Sequence, residues 1–421
     1  MPVDAASLGD TGMPPPGTSC TPRDAAVATG PKFCDLPGAS PSPLTVPEGF
    51  CAREFTAAPV IEGRVMRFAP NGDLFLAVPA MGTPGGASGG AGAIVVLPDD
   101  NHDGRADAVV HYAGSPTTPT AECYGAEGDA SNLTCVHGLL FSGGYLYYTR
   151  SDEVRRFAYK SGDRQAKVAA GELVSKLGGG GNASIRWTHT LDQAKDGRIY
   201  VSRGRFEASG CTDTEMTLGS VFALPVGSAA TLPLTPEVVA DGFRNPMFLR
   251  CQPGCGDCYA NELSGDSWSG IGGREKLALL ETNGHWGYPC CIGKDEAAPG
   301  APSGMCHAIG TELAAINLHD TPFGLDFETG AFPAPYSYGV FIGMHGAVGS
   351  WTGTGVAWLS TDPVTHRPVG VPRMFATGWG QQAPVVGRAA DVAFAPDGRL
   401  FVSDDQSGRI FWIAPKSLSM N

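Results

Sequence analysis

Histidine and arginine side chains stand at the start of several apolar segments of this 421-residue sequence. The positions are His137, Arg186, His189, Arg244 with Asn245, His345 and Arg388. A histidine can accept a proton near neutral pH, and an arginine binds carboxylates and stabilises oxyanions. Ordinary loops more often carry serine, asparagine and glycine at such places. The pattern therefore indicates residues that meet a ligand.

A second set of candidate ligands lies in the acidic segment from Asp99 to Asp107. Side-chain oxygens alternate there, at Asp99, Asn101, Asp103 and Asp107, and Gly104 permits a sharp turn. The spacing resembles the calcium loop of an EF-hand, but the glutamate that closes such a loop at its twelfth position is missing. The segment predicts either a structural Ca²⁺ site or a solvated acidic turn between two strands.

The elements that must position these residues are hairpins, each an apolar strand, a tight glycine turn and a second apolar strand. Clear copies occupy residues 68–78, 140–149, 193–202 and 393–403, and degenerate copies occupy 248–262 and 338–345. Asn-Gly, Gly-Gly and Asp-Gly favour hairpins because tight primed turns need a positive φ. The copies lie roughly 50 to 90 residues apart, the spacing of four-stranded propeller blades, and about six blades close a ring.

We therefore predict an all-β fold, a six-bladed β-propeller of four-stranded antiparallel blades. A jelly roll or sandwich would not explain why one hairpin type recurs at blade spacing. In a propeller the loops of the innermost strands face the axial funnel. The histidines and arginines that stand beside the hairpins are therefore expected to meet at the mouth of this funnel.

Composition agrees with this architecture. The chain has 59 glycines and 34 prolines but only 17% charged residues, which favours turns and short strands over solvated helices. Residues 1–46 are rich in proline, alanine and glycine without a period, so we predict an extended N-terminal segment and one propeller domain over residues 47–421. The net charge of −13 argues against a nucleic-acid partner, and no apolar stretch is long enough to predict a transmembrane segment.

Twelve cysteines, an even number, lie mostly in glycine-rich, loop-like sequence. They predict a disulfide-stabilised fold in an oxidising compartment, so we expect a secreted or periplasmic protein whose N-terminal segment is a tether or is stapled down by its own cysteines. Cys255 and Cys258 form a CxxC that zinc could use, but no second ligand pair lies at zinc-ribbon or zinc-finger spacing. The adjacent Cys290 and Cys291 are expected to bond to two different partners.

Four motifs follow one another in a characteristic order. They are Asp241-Gly-Phe-Arg-Asn-Pro246, Asn283-Gly-His-Trp-Gly-Tyr-Pro289, Met344-His-Gly346, and the segment from Gly387 to Asp405 with Gly408-Arg-Ile410. In order and spacing they resemble the landmarks of the soluble pyrroloquinoline-quinone-dependent sugar dehydrogenases, the glucose and sorbosone dehydrogenase-like propellers. The resemblance implies an oxidoreductase that moves a hydride from a hydroxyl of an aldose or related polyol to pyrroloquinoline quinone, with a bound Ca²⁺ and an external electron acceptor.

The resemblance also implies roles for individual residues. Arg244 resembles the family's arginine beside the quinone, where a cation stabilises the developing oxyanion, and Asn245 and Arg388 resemble cofactor contacts. The family's base is a histidine five residues before the leucine that opens its hairpin strand, and Arg186 stands at that position. An arginine does not deprotonate in a protein, so His189, three residues later, is the candidate base. We therefore expect His189 and Arg244 to carry the catalysis.

The remaining candidates are expected to contact the cofactor. Arg186, His137 and His345 join Asn245 and Arg388 in this group, and the two histidines are also alternative bases. Each of His137, His189 and His345 could instead hydrogen-bond a carbonyl of a neighbouring blade, and Arg244 could instead form an ion pair between blades.

A second function stays open at this point: a non-catalytic propeller that binds a glycan or a protein partner through its central funnel. Arg186, at the position of the family's base, favours this reading, whereas Arg244, Asn245 and Arg388 favour the dehydrogenase. A propeller lactonase would need inward carboxylates around a central Ca²⁺, and the funnel positions carry too few acidic residues for it.

Overall fold

The computed structural model describes residues 30–38, 40–56, 58–79, 92–114, 130–150, 152–178, 186–205, 211, 219–227, 231–266, 268, 272–347 and 353–420. These residues form six mainly antiparallel sheets, the blades of a β-propeller, and one small two-stranded sheet, which confirms the predicted fold. The helices among them are two short 3₁₀ helices, Phe33–Asp35 and Met305–Ala308. No helix in this described part has the length and hydropathy of a membrane span.

The first half of the chain supplies two leading strands and three blades. The leading strands are β1 (Ser40–Pro41) and β2 (Phe50–Glu54). Blade 1 contains β3 (Met66–Phe68), β4 (Leu74–Val78), β5 (Ala93–Leu97) and β6 (Val110–Gly114). Blade 2 contains β7 (Val136–Ser142), β8 (Tyr145–Arg150), β9 (Glu153–Ala158) and β10 (Glu172–Lys176). Blade 3 contains β11 (Leu191–Gln193), β12 (Ile199–Arg203), β13 (Ser220–Leu224) and β14 (Glu237–Asp241).

The second half supplies the other three blades and one insertion. Blade 4 contains β15 (Pro246–Cys251), β16 (Cys258–Glu262), β17 (Glu275–Leu279) and, after the insertion, β21 (Glu312–Ile316). The insertion carries β18 (Gly284–His285), β19 (Cys291–Gly293) and β20 (Glu296–Ala297). Blade 5 contains β22 (Pro322–Phe327), β23 (Val340–Met344), β24 (Gly355–Thr361) and β25 (Pro368–Ala376). Blade 6 contains β26 (Ala389–Phe394), β27 (Leu400–Asp404) and β28 (Ile410–Pro415).

Glycine turns close the inner hairpins as predicted. In blade 1 the N–H of Gly72 donates to the carbonyl of Ala69, and in blade 6 Gly398 bonds Ala395 in the same way, each at 2.9 Å. Both glycines have a φ of 90°, a conformation that strains a residue with a Cβ atom. One predicted hairpin is wrong: residues 338–345 do not form a hairpin but contain the single strand β23, whose inner partner β22 comes earlier in the chain. The sequence before β23 has no clear turn signal, so β22 was not identified from the sequence as its partner.

The ring is closed by a strand from the N-terminal part of the chain. Strand β2 pairs antiparallel with β28 and becomes the fourth strand of blade 6. A disulfide joins Cys34 to Cys51 in β2, and the Phe33 ring packs edge-on against Trp412 in β28. The two ends of the propeller therefore meet in one sheet, which leaves no open end.

The first strands of the blades lie innermost and contact one another around the ring. Side chains of three second strands reach across to the next blade: Thr149 donates to the carbonyl of His189, Asn261 to that of Phe323, and Ser403 to that of Arg64. Each of these carbonyls belongs to a residue at or beside the start of an inner strand. The inter-blade bonds therefore fix the backbone of the residues at the funnel mouth.

Disulfides hold the loops, as expected. The pairs are Cys34–Cys51, Cys211–Cys290, Cys251–Cys258 and Cys291–Cys306, and Cys135 and Cys255 are also disulfide-bonded. The adjacent Cys290 and Cys291 do bond to different partners, as predicted. Because Cys255 and Cys258 are both oxidised, this CxxC is not a zinc site. The disulfides fit a protein of an oxidising compartment.

Candidate active site

In an antiparallel blade, the residues at the start of the inner strand and those at the end of the second strand lie on the same face of the propeller, which we call the mouth. Each inner strand starts where the second strand of the same blade ends, as the pairing of Pro246 with Glu262 and of Ala389 with Asp404 shows. The histidines, the arginines and Asn245 that the sequence predicts as catalytic or cofactor-binding residues lie at the mouth. His345 alone arrives from the end of a second strand and not from before an inner one.

Arg244 and Asn245 lie just before the inner strand of blade 4. The backbone N–H of Arg244 donates to the Glu262 carboxylate at 2.7 Å, and its guanidinium donates to the carbonyl of Leu263 at 3.2 Å. Leu263 in turn donates its N–H to the carbonyl of Asn245 at 2.9 Å. The backbone at both residues is therefore fixed by the second strand, while both side chains are buried.

Arg186 and His189 lie before the inner strand of blade 3. The N–H of Arg186 donates to the carbonyl of Gly204 at 3.0 Å. His189 is fully buried, and its backbone carbonyl accepts bonds from the Nδ1 atom of His137 at 3.2 Å and from the Thr149 hydroxyl at 2.7 Å. The structure thus brings the two predicted histidines together through a backbone carbonyl, not ring to ring.

His137 is fully buried between aromatic side chains. Its ring meets those of Trp187 and Phe248 edge-on, with centroids 5.5 and 5.3 Å away. Burial, with a further contribution from the charge of Arg64, lowers the pKa of His137 well below its ordinary value. The imidazole is therefore neutral at physiological pH.

His345 lies in a charged cluster between blades 5, 6 and 1. Its Nε2 atom is 3.0 Å from Oδ1 of Asp405, whose Oδ2 is 2.7 Å from Nε of Arg64. Burial by itself would raise the pKa of Asp405, but its electrostatic interactions and hydrogen bonds with His345 and Arg64 lower it far below its ordinary range. Asp405 is therefore an anion that bridges an arginine and a histidine.

Arg388 borders this cluster. Its backbone N–H donates to Asp404 at 3.0 Å, and its guanidinium donates to the carbonyl of Gly346 at 3.2 Å, one residue after His345. Burial lowers the pKa of Arg388, against the opposing effect of the Asp405 and Asp404 charges. The guanidinium is thus a partly desolvated cation, which strengthens its attraction for an anion.

A buried carboxyl group lies within electrostatic reach of Arg244. Glu275 begins β17 and accepts a 2.6 Å hydrogen bond from the N–H of Thr321. Burial, together with the charges of Asp320 and Asp266, raises the pKa of Glu275 to about 8 against the lowering effects of the Thr321 bond and the Arg244 charge. This side chain is therefore largely protonated at neutral pH.

Sequence reasoning missed Arg64, Asp405 and Glu275. A signal existed for Arg64, which lies two residues before the inner strand of blade 1, but the sequence repeat is recognisable only from Phe68 onward. Asp405 ends the last of the four motifs, yet nothing in the sequence pairs it with His345, 60 residues away. Glu275 begins a third strand, an element that carries no repeat signal.

The acidic segment 99–107 forms a tight loop closed by its own backbone. Asp99 accepts the N–H groups of Asp103 and Gly104, at 3.0 and 3.1 Å, and Asp107 accepts that of Asp100 at 2.6 Å. Across the described ranges no group of three or more His, Cys, Asp or Glu side chains is arranged to hold a metal ion. The calcium site predicted from Asp99, Asn101, Asp103 and Asp107 therefore stays a prediction.

The mouth residues fit an anionic, polar cofactor. Buried polar atoms without a hydrogen-bond partner within the described chain include Nε of Arg244, Oδ1 of Asn245, Nε2 of His137 and the hydroxyl of Thr188. Leaving such atoms unpaired costs about 1–3 kcal/mol each, so a native structure is expected to pair them with something. Nε of Arg244 and the Thr188 hydroxyl can donate, whereas Oδ1 of Asn245 and Nε2 of the neutral His137 can accept. A cation with donors and acceptors of this kind suits a planar quinone with carboxylate groups.

Comparisons with known proteins give the same picture of the fold. No protein-family model matches the chain, and no curated protein matches it by sequence. The structure is similar to the calcium structure of a Trichoderma reesei protein of carbohydrate-active enzyme family AA12, with a TM-score of 0.67 at 16% identity over 93% of this chain and 99% of that one.

Two further solved structures are similar over almost their whole length. One is the holo form of the pyrroloquinoline quinone domain of pyranose dehydrogenase from Coprinopsis cinerea, with a TM-score of 0.61 at 13% identity, covering 90% of this chain and 98% of that one. The other is the quinone-bound aldose sugar dehydrogenase of Streptomyces coelicolor, with a TM-score of 0.56 at 16% identity, covering 88% and 99%. The chain therefore has the six-bladed propeller fold of the pyrroloquinoline-quinone-dependent sugar dehydrogenases, the family that its sequence motifs resemble.

Proposed function

We propose that this protein is a quinone-dependent dehydrogenase that oxidises a hydroxyl group of an aldose or a related polyol. The observation that carries the proposal is the arrangement at the mouth. There Arg244, Asn245 and Arg388 are buried together with histidines, and polar atoms of Arg244 and Asn245 lack a partner within the described chain. A closed, desolvated and cationic site of this kind stabilises negative charge that develops during a reaction.

Pyrroloquinoline quinone would be held by Arg244, Asn245, Arg186 and Arg388, and when bound it supplies a two-electron acceptor that takes a hydride. The protein's own residues have two tasks. Arg244 provides a fixed positive charge beside the place where an oxyanion develops, and a histidine at the mouth removes the hydroxyl proton. An alcohol loses its hydride readily only as its hydroxyl proton leaves. The histidine and Arg244 must therefore both act beside the bound substrate.

The solved structures that share this fold support the cofactor, since they include a calcium structure, a quinone domain in its holo form and a quinone-bound dehydrogenase. We extend the proposal to Ca²⁺ as a second cofactor and to an external electron acceptor. The disulfides support a secreted or periplasmic location, where such an acceptor would have to operate.

A second function has its own observation in support. Arg186 stands where the resembled family has its base, and the neighbouring His189 is fully buried. A propeller that no longer transfers a proton could still bind a glycan or a protein at the same mouth. This alternative predicts ligand binding without quinone reduction.

Titration of the purified protein with pyrroloquinoline quinone and Ca²⁺, followed by absorbance, separates the two functions. Aldoses and polyols are then added with an artificial electron acceptor. Saturable quinone binding with sugar-dependent reduction supports the dehydrogenase. Binding of a glycan by a protein that takes up no quinone supports the alternative.

A further inference from the structure

The imidazole of His345 is held from three directions. Its ring stacks on that of Phe323, with centroids 4.1 Å apart and planes at 6°. Its Nε2 atom meets Asp405 at 3.0 Å, and its backbone N–H donates to the carbonyl of Thr321 at 2.9 Å. These contacts come from blades 5 and 6, so the fold fixes the orientation of the ring before any ligand arrives.

Arg64 completes the cluster from blade 1. Its guanidinium binds the other oxygen of Asp405 at 2.7 Å and lies 5.6 Å from the ring centroids of Trp187 and Phe323. The ionised Asp405 therefore accepts the Nε2 proton of His345. In a neutral imidazole held in this way, Nδ1 is the ring nitrogen without a proton, and it can take one up.

We propose that His345 is the group that removes the hydroxyl proton, and that Asp405 and Arg64 are the positioning residues that hold it for this step. The inference rests on the dehydrogenase function proposed above. The hydroxyl proton would pass to Nδ1 of His345 as the hydride leaves the same carbon with the C–H pair of electrons and a C=O bond forms. Pyrroloquinoline quinone, when bound, would supply the two-electron acceptor for that hydride. The imidazolium that results lies against the Asp405 carboxylate, which stabilises its charge.

The exposed fraction of the residue distinguishes His345 from His137 and His189, the other two candidate bases. His345 keeps 7% of its surface accessible, whereas His137 and His189 have 0%. His137 uses Nδ1 to hold the carbonyl of His189 and is enclosed by aromatic rings. A base must reach the proton that it removes, and His345 is the one of these three histidines that keeps any accessible surface.

The test compares His345→Gln and Asp405→Asn with the wild-type protein. His307→Gln is the matched control, because His307 also pairs with an aspartate, Asp295, but is 72% exposed in the insertion. Quinone affinity is measured by absorbance titration, and reduction by sugar is measured in a single turnover across a range of pH. A third readout needs no cofactor: ¹⁵N NMR of histidine-labelled apoprotein, in which the signal missing from H345Q identifies His345.

We expect H345Q to bind quinone within about 3-fold of wild type and to reduce it at least about 100-fold more slowly. D405N is expected to slow reduction at least about 10-fold and to move the acidic limb of the pH profile to lower pH, because the imidazolium loses its counter-ion. The apoprotein spectrum should show His345 with its proton on Nε2, and D405N should change that signal. A purely structural role for Asp405 would leave the pH profile in place.

The outcomes distinguish the inference from the function on which it rests. If the wild-type protein binds no quinone, or binds it and no sugar reduces it, the proposed function fails. If the wild type is active and H345Q reduces quinone as fast as H307Q, the function stands and this inference is overturned. If His189→Gln is the slow variant instead, the base is the histidine that the sequence spacing indicated.

Discussion

The backbone N–H of Arg244 donates a 2.7 Å hydrogen bond to the carboxylate of Glu262, the residue that ends the neighbouring strand β16. The same carboxyl group lies 3.4 Å from the ammonium of Lys276. A buried anion thus ties the backbone of the mouth loop to the body of blade 4. The guanidinium of Arg244 is placed by this backbone anchor as well as by its own contact with Leu263.

Replacing Arg244 with alanine is expected to weaken quinone binding about 10- to 100-fold, the effect of losing a charge-assisted hydrogen bond, and to abolish dye reduction. The backbone bond to Glu262 does not depend on the side chain, so the fold should survive. Absorbance titration and a melting curve measure both effects. The matched control is Arg373→Ala, at an exposed position of the outer strand β25. An R244A protein that turns over like wild type contradicts the role given to Arg244.

Glu275 makes stability depend on pH. Its pKa of about 8 in the folded protein exceeds the ordinary value of 4.5, so the folded protein keeps a proton that the unfolded chain has lost. The free energy of unfolding therefore falls as the pH rises from 4.5 through about 8, because ionising this buried group opposes folding. For Glu275→Gln, which stays neutral, we expect the melting temperature to rise relative to that of wild type between pH 5 and pH 8.

Glu237→Gln, at an exposed position of β14, is the control for this measurement. It should melt in parallel with wild type across the same pH range. Parallel melting of E275Q as well would show that Glu275 is ionised in the folded protein at neutral pH.

The acidic loop gives a prediction about Ca²⁺ that does not involve the mouth. If the loop binds the ion, Ca²⁺ at about 100 times its dissociation constant adds about 2.7 kcal/mol to the free energy of unfolding. Asp103→Asn should remove most of the resulting rise in melting temperature. Asp362→Asn, in an acidic turn whose carboxylate also accepts backbone N–H bonds, should keep it. Equal calcium responses in D103N and wild type would place the ion elsewhere.

The disulfide between Cys34 and Cys51 should stabilise the closed ring. It spans 17 residues and fixes the chain beside β2, the strand that completes blade 6. Crosslinking a loop of this size restricts the unfolded chain by about 3 kcal/mol. The double variant with Cys34→Ser and Cys51→Ser is therefore expected to melt several degrees below wild type in calorimetry. An unchanged melting temperature would mean that the β2–β28 pairing alone secures the closure.

The fold was predictable because its signals are local. A tight turn needs a residue with a positive φ, and the dipeptides Asn71-Gly72 and Asp397-Gly398 predict such a turn. The alternation of apolar residues on either side predicts the two strands. Repetition of that unit at blade spacing then leaves few arrangements other than a closed ring. The hairpin of β22 and β23 in blade 5 was not predicted, because no such dipeptide lies between these two strands.

The composition of the mouth was predictable for a related reason. Residues that flank inner strands must lie at one end of the funnel, so the sequence alone identifies Arg244, Asn245 and Arg388 as mouth residues. His345 was expected at the mouth as a residue beside an inner hairpin, but it follows the second strand β23. It reaches the same face because the end of a second strand pairs with the start of the first.

What the sequence could not determine is which of these side chains contact each other. His345, Asp405 and Arg64 belong to three different blades, and the two ends of the chain must close the ring before Arg64 and Asp405, 341 residues apart, can meet. Burial is likewise a property of the whole ring: the sequence predicts His189 and His137 as residues that meet a ligand, yet both are fully buried. The sequence determined the fold and the residue types at the mouth through local conformational preferences, whereas tertiary packing alone decided which histidine pairs with an aspartate and keeps some accessible surface.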